Sequence, residues 1–132
     1  MVSRRNDTDS RILVVDTTSR EETVHVEKCL IDWKYEIIHL NNEKSSLVAP
    51  IPKSSSLMLV YAQKEQKDTI AICEQLRKDP EGATAPILLV IGRYKMSQFH
   101  ELRRRMENIK SMITPFDQEE IHTKIDEILG TT

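Results

Sequence analysis

An α/β fold, a parallel sheet with helices packed on both faces, is predicted by three observations. Short, continuously apolar runs recur along the chain, at Ile12 to Val15, Leu57 to Tyr61 and Ile87 to Ile91. Segments whose apolar residues return every three or four positions lie between and after them. The two kinds of segment alternate from one end of the chain to the other. A strand that is apolar on both sides must be covered on both sides, and its alternation with helices implies β-α-β crossovers. The expectation is five β-α repeats in a doubly wound (βα)5 domain.

Each element has its own justification. Ile12-Leu13-Val14-Val15 is the first strand. Thr17 or Thr18 can cap the helix that follows, with Glu21 and Glu22 suited to its positive N-terminal end. Val26, Cys29, Leu30 and Trp33 give that helix one apolar stripe. Tyr35 to Leu40 is the second strand, and Asn41-Asn42 turns the chain. Glu43 to Val48 reads as a short helix or a loop, cut off by Pro50, Pro52 and the serines at 54–56. Leu57 to Tyr61 is the third strand. Asp68 or Thr69 opens a helix whose stripe is Ile70, Cys73 and Leu76, and Asp79-Pro80 with Gly82 stops it. Pro86 introduces the fourth strand, Ile87 to Ile91. Met96, Phe99, Leu102 and Met106 mark the fourth helix. Lys110 to Ile113 is the fifth strand. Asp117 caps or flanks a last helix lined by Ile121, Ile125, Ile128 and Leu129, which Gly130 closes. Residues 1–10 read as a polar, frayed tail and residues 11–130 as one folded domain.

Periodicity does not set the strand order. Two orders suit five parallel strands, the flavodoxin-like 2-1-3-4-5 and a partial dinucleotide-binding sheet. The turn after the first strand, Asp16-Thr17-Thr18-Ser19, has no glycine to admit a pyrophosphate, which favours the first.

Composition removes several classes of function. A chain of 132 residues with a formal charge of −2 lacks the basic field of a nucleic-acid binder. Its one dense basic cluster is Arg103-Arg104-Arg105. Adjacent helical residues point about 100° apart, so these three read as a solvated helix face. Cys29 and Cys73 have no CxxC spacing, and the four histidines form no ligand pair, so neither a zinc site nor a disulfide framework is suggested. The cysteines read as small buried hydrophobes in a reducing cytoplasm. No apolar run approaches the ~20 residues of a spanning helix, and the start of the chain has no signal-peptide stretch. The expectation is a cytoplasmic protein that binds neither membrane nor nucleic acid.

Several stretches together resemble the receiver domain of bacterial two-component response regulators. Ile12-Leu13-Val14-Val15-Asp16 is similar to that family's first strand and leading acidic residue. The run from Ala71 to Pro80 is similar to its third helix, and Ala85 to Gly92 to its fourth strand. Thr114-Pro115-Phe116 with the residues to Ile121 resembles its closing Lys-Pro-Phe segment and final helix. The resemblance covers Arg11 to Leu129 and implies the 2-1-3-4-5 order. It also implies a cis bond before Pro115. The family's reactive residues are largely replaced. The acidic pair that holds Mg²⁺ becomes Asp16-Thr17, and the phosphate-accepting aspartate becomes Tyr61. The hydroxyl residue ending strand four becomes Ile91, the phosphate-neutralising lysine Thr114, and the switching aromatic Ser111. The proline and glycine of the loop after the acceptor become Glu65 and Thr69.

Aspartyl phosphorylation needs a carboxylate nucleophile and cations that offset charge on the transferring group. A phenol, an isoleucine and a threonine beside one aspartate do not supply them. The expected pocket of Asp16, Thr17, Tyr61, Ile91 and Thr114 is therefore degenerate, with no catalytic residue, metal or cofactor. Tyr61 is expected to cap the core, and Asp16 to serve the turn or helix cap after it. The expected function is protein–protein recognition in a signalling pathway, independent of phosphorylation. The resemblance marks the face of helix four, strand five and helix five as the partner surface, with Arg93, Tyr94, Arg103, Lys110, Gln118 and His122 on it, and a homodimer through the same face is a further expectation. Two other readings stay open: a receiver still phosphorylated at a displaced residue such as Asp16, and a flavodoxin-like binder of a small molecule.

Overall fold

The computed structural model describes residues 11–15, 28–30, 33, 35–40, 42–43, 46–47, 55–63, 65–80 and 82–130. The expected tail (1–10), Asp16, the capping residues Thr17 and Thr18, and Glu21, Glu22, Val26, Pro50 and Pro52 lie outside them. The strands are β1 (Arg11–Val15), β2 (Glu36–Leu40), β3 (Asn42–Glu43), β4 (Ser46–Leu47), β5 (Ser55–Tyr61), β6 (Ile87–Gly92) and β7 (Ile109–Thr114). The helices are α1 (described at residues 28–30), α2 (Gln66–Lys78), α3 (Met96–Arg105, led by a 3-10 turn at Arg93–Lys95) and α4 (Gln118–Leu129).

Five strands form one parallel sheet in the order β2-β1-β5-β6-β7. Counting these five alone, that is the expected 2-1-3-4-5 arrangement. Glu43 to Val48, read as a short helix or a loop, instead carries a two-residue antiparallel ribbon, Asn42–Glu43 against Ser46–Leu47. Asn and Ser favour turns over helix interiors, and so few residues cannot offset the cost of a helical nucleus.

Strand alternation sends successive side chains to opposite cores. Leu13, Val15, Met58, Val60, Leu89 and Ile91 pack with Ile70, Cys73, Leu76, Phe99 and Leu102 from α2 and α3. Ile12, Val14, Leu59, Tyr61, Leu88 and Val90 pack on the other side with Leu30, Phe116, Ile121 and Ile125. Both cysteines are buried thiols. Burial, ahead of the opposing Arg77 charge, pushes the Cys73 thiol up to about 12, so it behaves as a neutral core group.

The ends of the elements follow local chemistry. Asp117 caps α4 with a capping box: its Oδ1 accepts from Glu120 N–H at 2.8 Å while its own N–H donates to Glu120 Oε1 at 2.9 Å. Gly130 ends that helix at φ 71°, a left-handed conformation that suits glycine. The Thr114–Pro115 peptide is cis, as the resemblance implied. Helix α2 begins at Gln66, ahead of the expected Asp68 or Thr69. Asp68 occupies the first turn, and the Thr69 hydroxyl is engaged elsewhere, as described below.

Arg77 ties one end of the sheet together. Its guanidinium donates to Gly82 O at 2.9 Å, to Ala85 O, to Glu107 O at 2.8 Å and to Asn108 O at 3.3 Å. It thereby links the end of α2 to the segments leading into β6 and β7.

Candidate functional site

In a doubly wound sheet, ligands meet the carboxyl ends of the strands. Tyr61 ends β5 and is 1% exposed, enclosed by the core on the α4 side. Ile91, also 1% exposed, belongs to the opposite core, under α2 and α3. The structure therefore sends these two expected pocket residues to opposite faces of the sheet. Thr114, half-buried, pairs in register with Gly92 at the end of β7. Asp16 and Thr17 lie outside the described residues. The described rim thus offers a buried phenol, a hydrocarbon and one hydroxyl. That donor set does not suit Mg²⁺, which takes carboxylate, phosphate and water oxygens. Among the described residues, no three His, Cys, Asp or Glu side chains cluster as metal ligands.

Beside Tyr61 the structure holds a buried polar ring that sequence reasoning missed. Gln63, Thr69 and Gln98 are 5%, 0% and 4% exposed, yet every one is hydrogen-bonded. The Gln63 N–H donates to Thr69 Oγ1 at 2.7 Å, and that hydroxyl donates to Gln98 Oε1 at 2.6 Å. Gln98 Nε2 closes the ring on Gln63 O at 3.1 Å, while Gln63 Nε2 donates to Tyr61 O at 2.9 Å. The loop after β5, the first turn of α2 and the start of α3 are thus joined through the side chains of Thr69 and Gln98 and the backbone of Gln63. The hub, Thr69, stands where the resemblance puts a glycine, which has no hydroxyl to give. The signal was present: Thr69 lies four residues before Cys73 and seven before Leu76, on the inner stripe of α2, and Gln98 lies four before Leu102. A polar residue on an apolar stripe is buried and must find partners.

Thr69→Val keeps the shape and removes the hydroxyl. It leaves the Gln63 N–H and Gln98 Oε1 unpaired in the core, for an expected loss of about 3 kcal/mol. Thr69→Ser should retain most of the stability. Urea unfolding of the three proteins measures the difference.

The expected partner residues are only partly brought together. Arg93 is exposed and Tyr94 is 99% exposed on the 3-10 turn before α3. Arg103 is exposed on α3 with its guanidinium 5.6 Å from the Phe99 ring centroid. Arg104 and Arg105 pair with Glu101 on the same helix, at 3.1 and 2.8 Å. The triple arginine is thus a helix face already partly neutralised, and such exposed pairs contribute little. Lys110 is exposed on β7. Gln118, exposed, and His122 line a different groove on α4, with Asp117 and Asp126.

His122 faces the end of α1. Its Nε2 lies 2.7 Å from the Cys29 carbonyl, and its ring stacks on Trp33 at 3.8 Å and 4°. Trp33 in turn meets Tyr35 edge-on, and the Tyr35 hydroxyl donates to Asp126 Oδ1 at 3.2 Å. His122 therefore holds α4 to α1.

The face as a whole has a charge pattern. From Arg93 to Arg105 there are five basic residues and one acidic, whereas from Asp117 to Leu129 there are five acidic and one lysine. The exposed edge strand β7 runs between these two helices.

No protein-family model matches this chain, and no curated protein does. Solved structures match its fold. A response regulator from Desulfuromonas acetoxidans superposes with a TM-score of 0.65 at 17% identity, over 91% of this chain and 96% of that one. The receiver domain of a sensor histidine kinase from Pseudomonas aeruginosa PAO1, which holds a magnesium ion in its active-site cleft, gives 0.65 at 15%, over 92% and 98%. An adenylate cyclase from Rhodopirellula baltica gives 0.66 at 15%, over 91% and 87%. The chain has the five-stranded receiver fold. No described helix is long and apolar enough to cross a membrane.

Proposed function

We propose that this chain works in bacterial two-component signalling as a receiver-like domain that takes no phosphate, recognising partner proteins in the cytoplasm and catalysing no reaction. The observation that carries this is Tyr61, 1% exposed in an apolar core at the position where the resemblance puts the phosphate-accepting aspartate. A phenol buried in the core is not accessible to a phosphodonor.

The ring of Gln63, Thr69 and Gln98 supports the same reading. Receiver switching is a shift between two populations, biased by a bound phosphate. Here the loop after β5 is tied to α3, directly and through Thr69, by three buried hydrogen bonds that need no phosphate. The domain is held in one arrangement, and its exposed surface carries the function.

Incubation with acetyl phosphate and Mg²⁺, followed by intact-mass measurement, should show no added phosphoryl group. A stoichiometric increase that Asp16→Asn removes would establish the alternative, a displaced acceptor.

The charge pattern favours a second reading of the surface, a homodimer. A two-fold axis parallel to β7 sets the basic α3 of one copy against the acidic α4 of the other. Arg103→Glu should then weaken self-association in sedimentation experiments, and a monomer at every concentration rules this reading out.

A further inference from the structure

The outer edge of β7 is open among the described residues, and the parity of its backbone is determined. Ile87 N–H donates to Asn108 O at 3.0 Å, and the β6–β7 register continues from Ile87↔Ile109 to Gly92↔Thr114. In a parallel ladder, alternate residues turn both backbone groups to the same neighbour. Lys110, Met112 and Thr114 therefore bond to β6, while Ile109, Ser111 and Ile113 turn their N–H and C=O groups outward. Ile113 also leaves an apolar side chain 42% exposed there. Beside this edge lies an open groove of about 580 Å³, with Ser111 to Ile113 as one wall and Glu119, Thr123, Lys124 and Glu127 on the α4 wall.

We propose that this edge and groove take up an extended, basic segment of a partner protein as a sixth strand. The inference rests on reading the α3–β7–α4 face as the working surface, and it names the partner chemistry. Three features select that occupant. The outward N–H and C=O groups of Ser111 and Ile113 match an extended backbone and no helix. A strand's side chains alternate, so one set meets Ile113 on the α3 side and the other enters the groove. The groove lining carries three carboxylates, Glu119, Glu120 and Glu127, against one lysine, so that set is basic.

As an antiparallel sixth strand, a second copy of this chain fits the edge poorly. Antiparallel pairing of two β7 strands about an axis normal to the sheet sets α3 beside α3 and α4 beside α4. Each of those contacts opposes like charges, five basic residues against five or five acidic against five.

The test uses the full chain and fluorescein-labelled peptides of alternating lysine and valine or alternating glutamate and valine. Anisotropy at low salt should show micromolar binding of the lysine peptide and at least tenfold weaker binding of the glutamate peptide. Glu119→Lys with Glu127→Lys should invert that order. Ser111→Pro removes an outward N–H while sparing the β6 ladder, since proline is tolerated at a sheet edge, and it should abolish binding. Amide exchange at Ser111 and Ile113 should slow in the wild-type complex. Absence of binding, equal binding of both peptides, or full binding by Ser111→Pro with an intact fold overturns the inference. A dimer that Ser111→Pro dissolves overturns it in favour of a second copy. Failure here leaves the phosphate-independent reading standing, whereas phosphoryl uptake from acetyl phosphate overturns that reading and leaves the peptide result untouched.

Discussion

Tyr61→Asp, which restores the receiver family's acceptor type at the end of β5, is expected to cost at least ~4 kcal/mol of stability and to gain no phosphoryl transfer. Two terms add. Truncating a large buried ring typically costs about 3–5 kcal/mol, and a carboxyl placed among Val14, Val90 and Phe116 meets an apolar environment that penalises its charge. Domains are stable by about 5–15 kcal/mol, so the variant should sit near its unfolding threshold. Tyr61→Phe keeps the ring and should retain most of the stability, which separates loss of packing from loss of the hydroxyl. Chemical denaturation measures both, and intact mass after acetyl phosphate measures the second claim. A Tyr61→Asp protein as stable as wild type, labelled by the phosphodonor, would show that the site is a working receiver pocket with one residue exchanged.

Arg77→Ala should destabilise by about 3 kcal/mol, because one guanidinium serves four carbonyls from two separate loops. Hydrogen bonds to a charged donor contribute about 1.5–3 kcal/mol each, and they are not additive when one side chain makes them all. Arg77→Lys should recover less than half: an ammonium is a point donor and cannot reach Gly82, Ala85, Glu107 and Asn108 at once. Amide exchange should rise first at the start of β6 and β7, the two strands that this residue aligns. An Ala variant with unchanged urea midpoint would mean that the loops hold their own positions.

The two predictions differ in how far the sequence foresaw them. The burial of Tyr61 was legible, because it ends a short, continuously apolar run. Arg77 was not legible. In the sequence it is one more basic residue near a helix C-terminus, where the helix dipole alone would explain it. Its four acceptors lie 5 to 31 residues away. The cap at Asp117 and the closing Gly130 were foreseen because each is complete within one turn of helix. The exposure of the residues expected on a partner surface was legible only in part. Arg93, Tyr94, Arg103 and Lys110 stand exposed, but His122 turns to Cys29 and Trp33, because the face that a helix presents at each position depends on where its neighbours pack.

What the sequence by itself determined is the succession of the five sheet strands and the helices between them, with their apolar faces. Those properties are carried by residue type and by periods of two and of three to four, which need no knowledge of distant segments. Only the tertiary structure decided that Asn42–Glu43 and Ser46–Leu47 pair as a ribbon, that Gln63, Thr69 and Gln98 close a ring, that Tyr61 and Ile91 face opposite cores, and which amides of β7 point outward. Each of these depends on register and on pairs far apart in the chain, and the free energy that selects them comes from satisfying buried polar groups once the sheet has assembled.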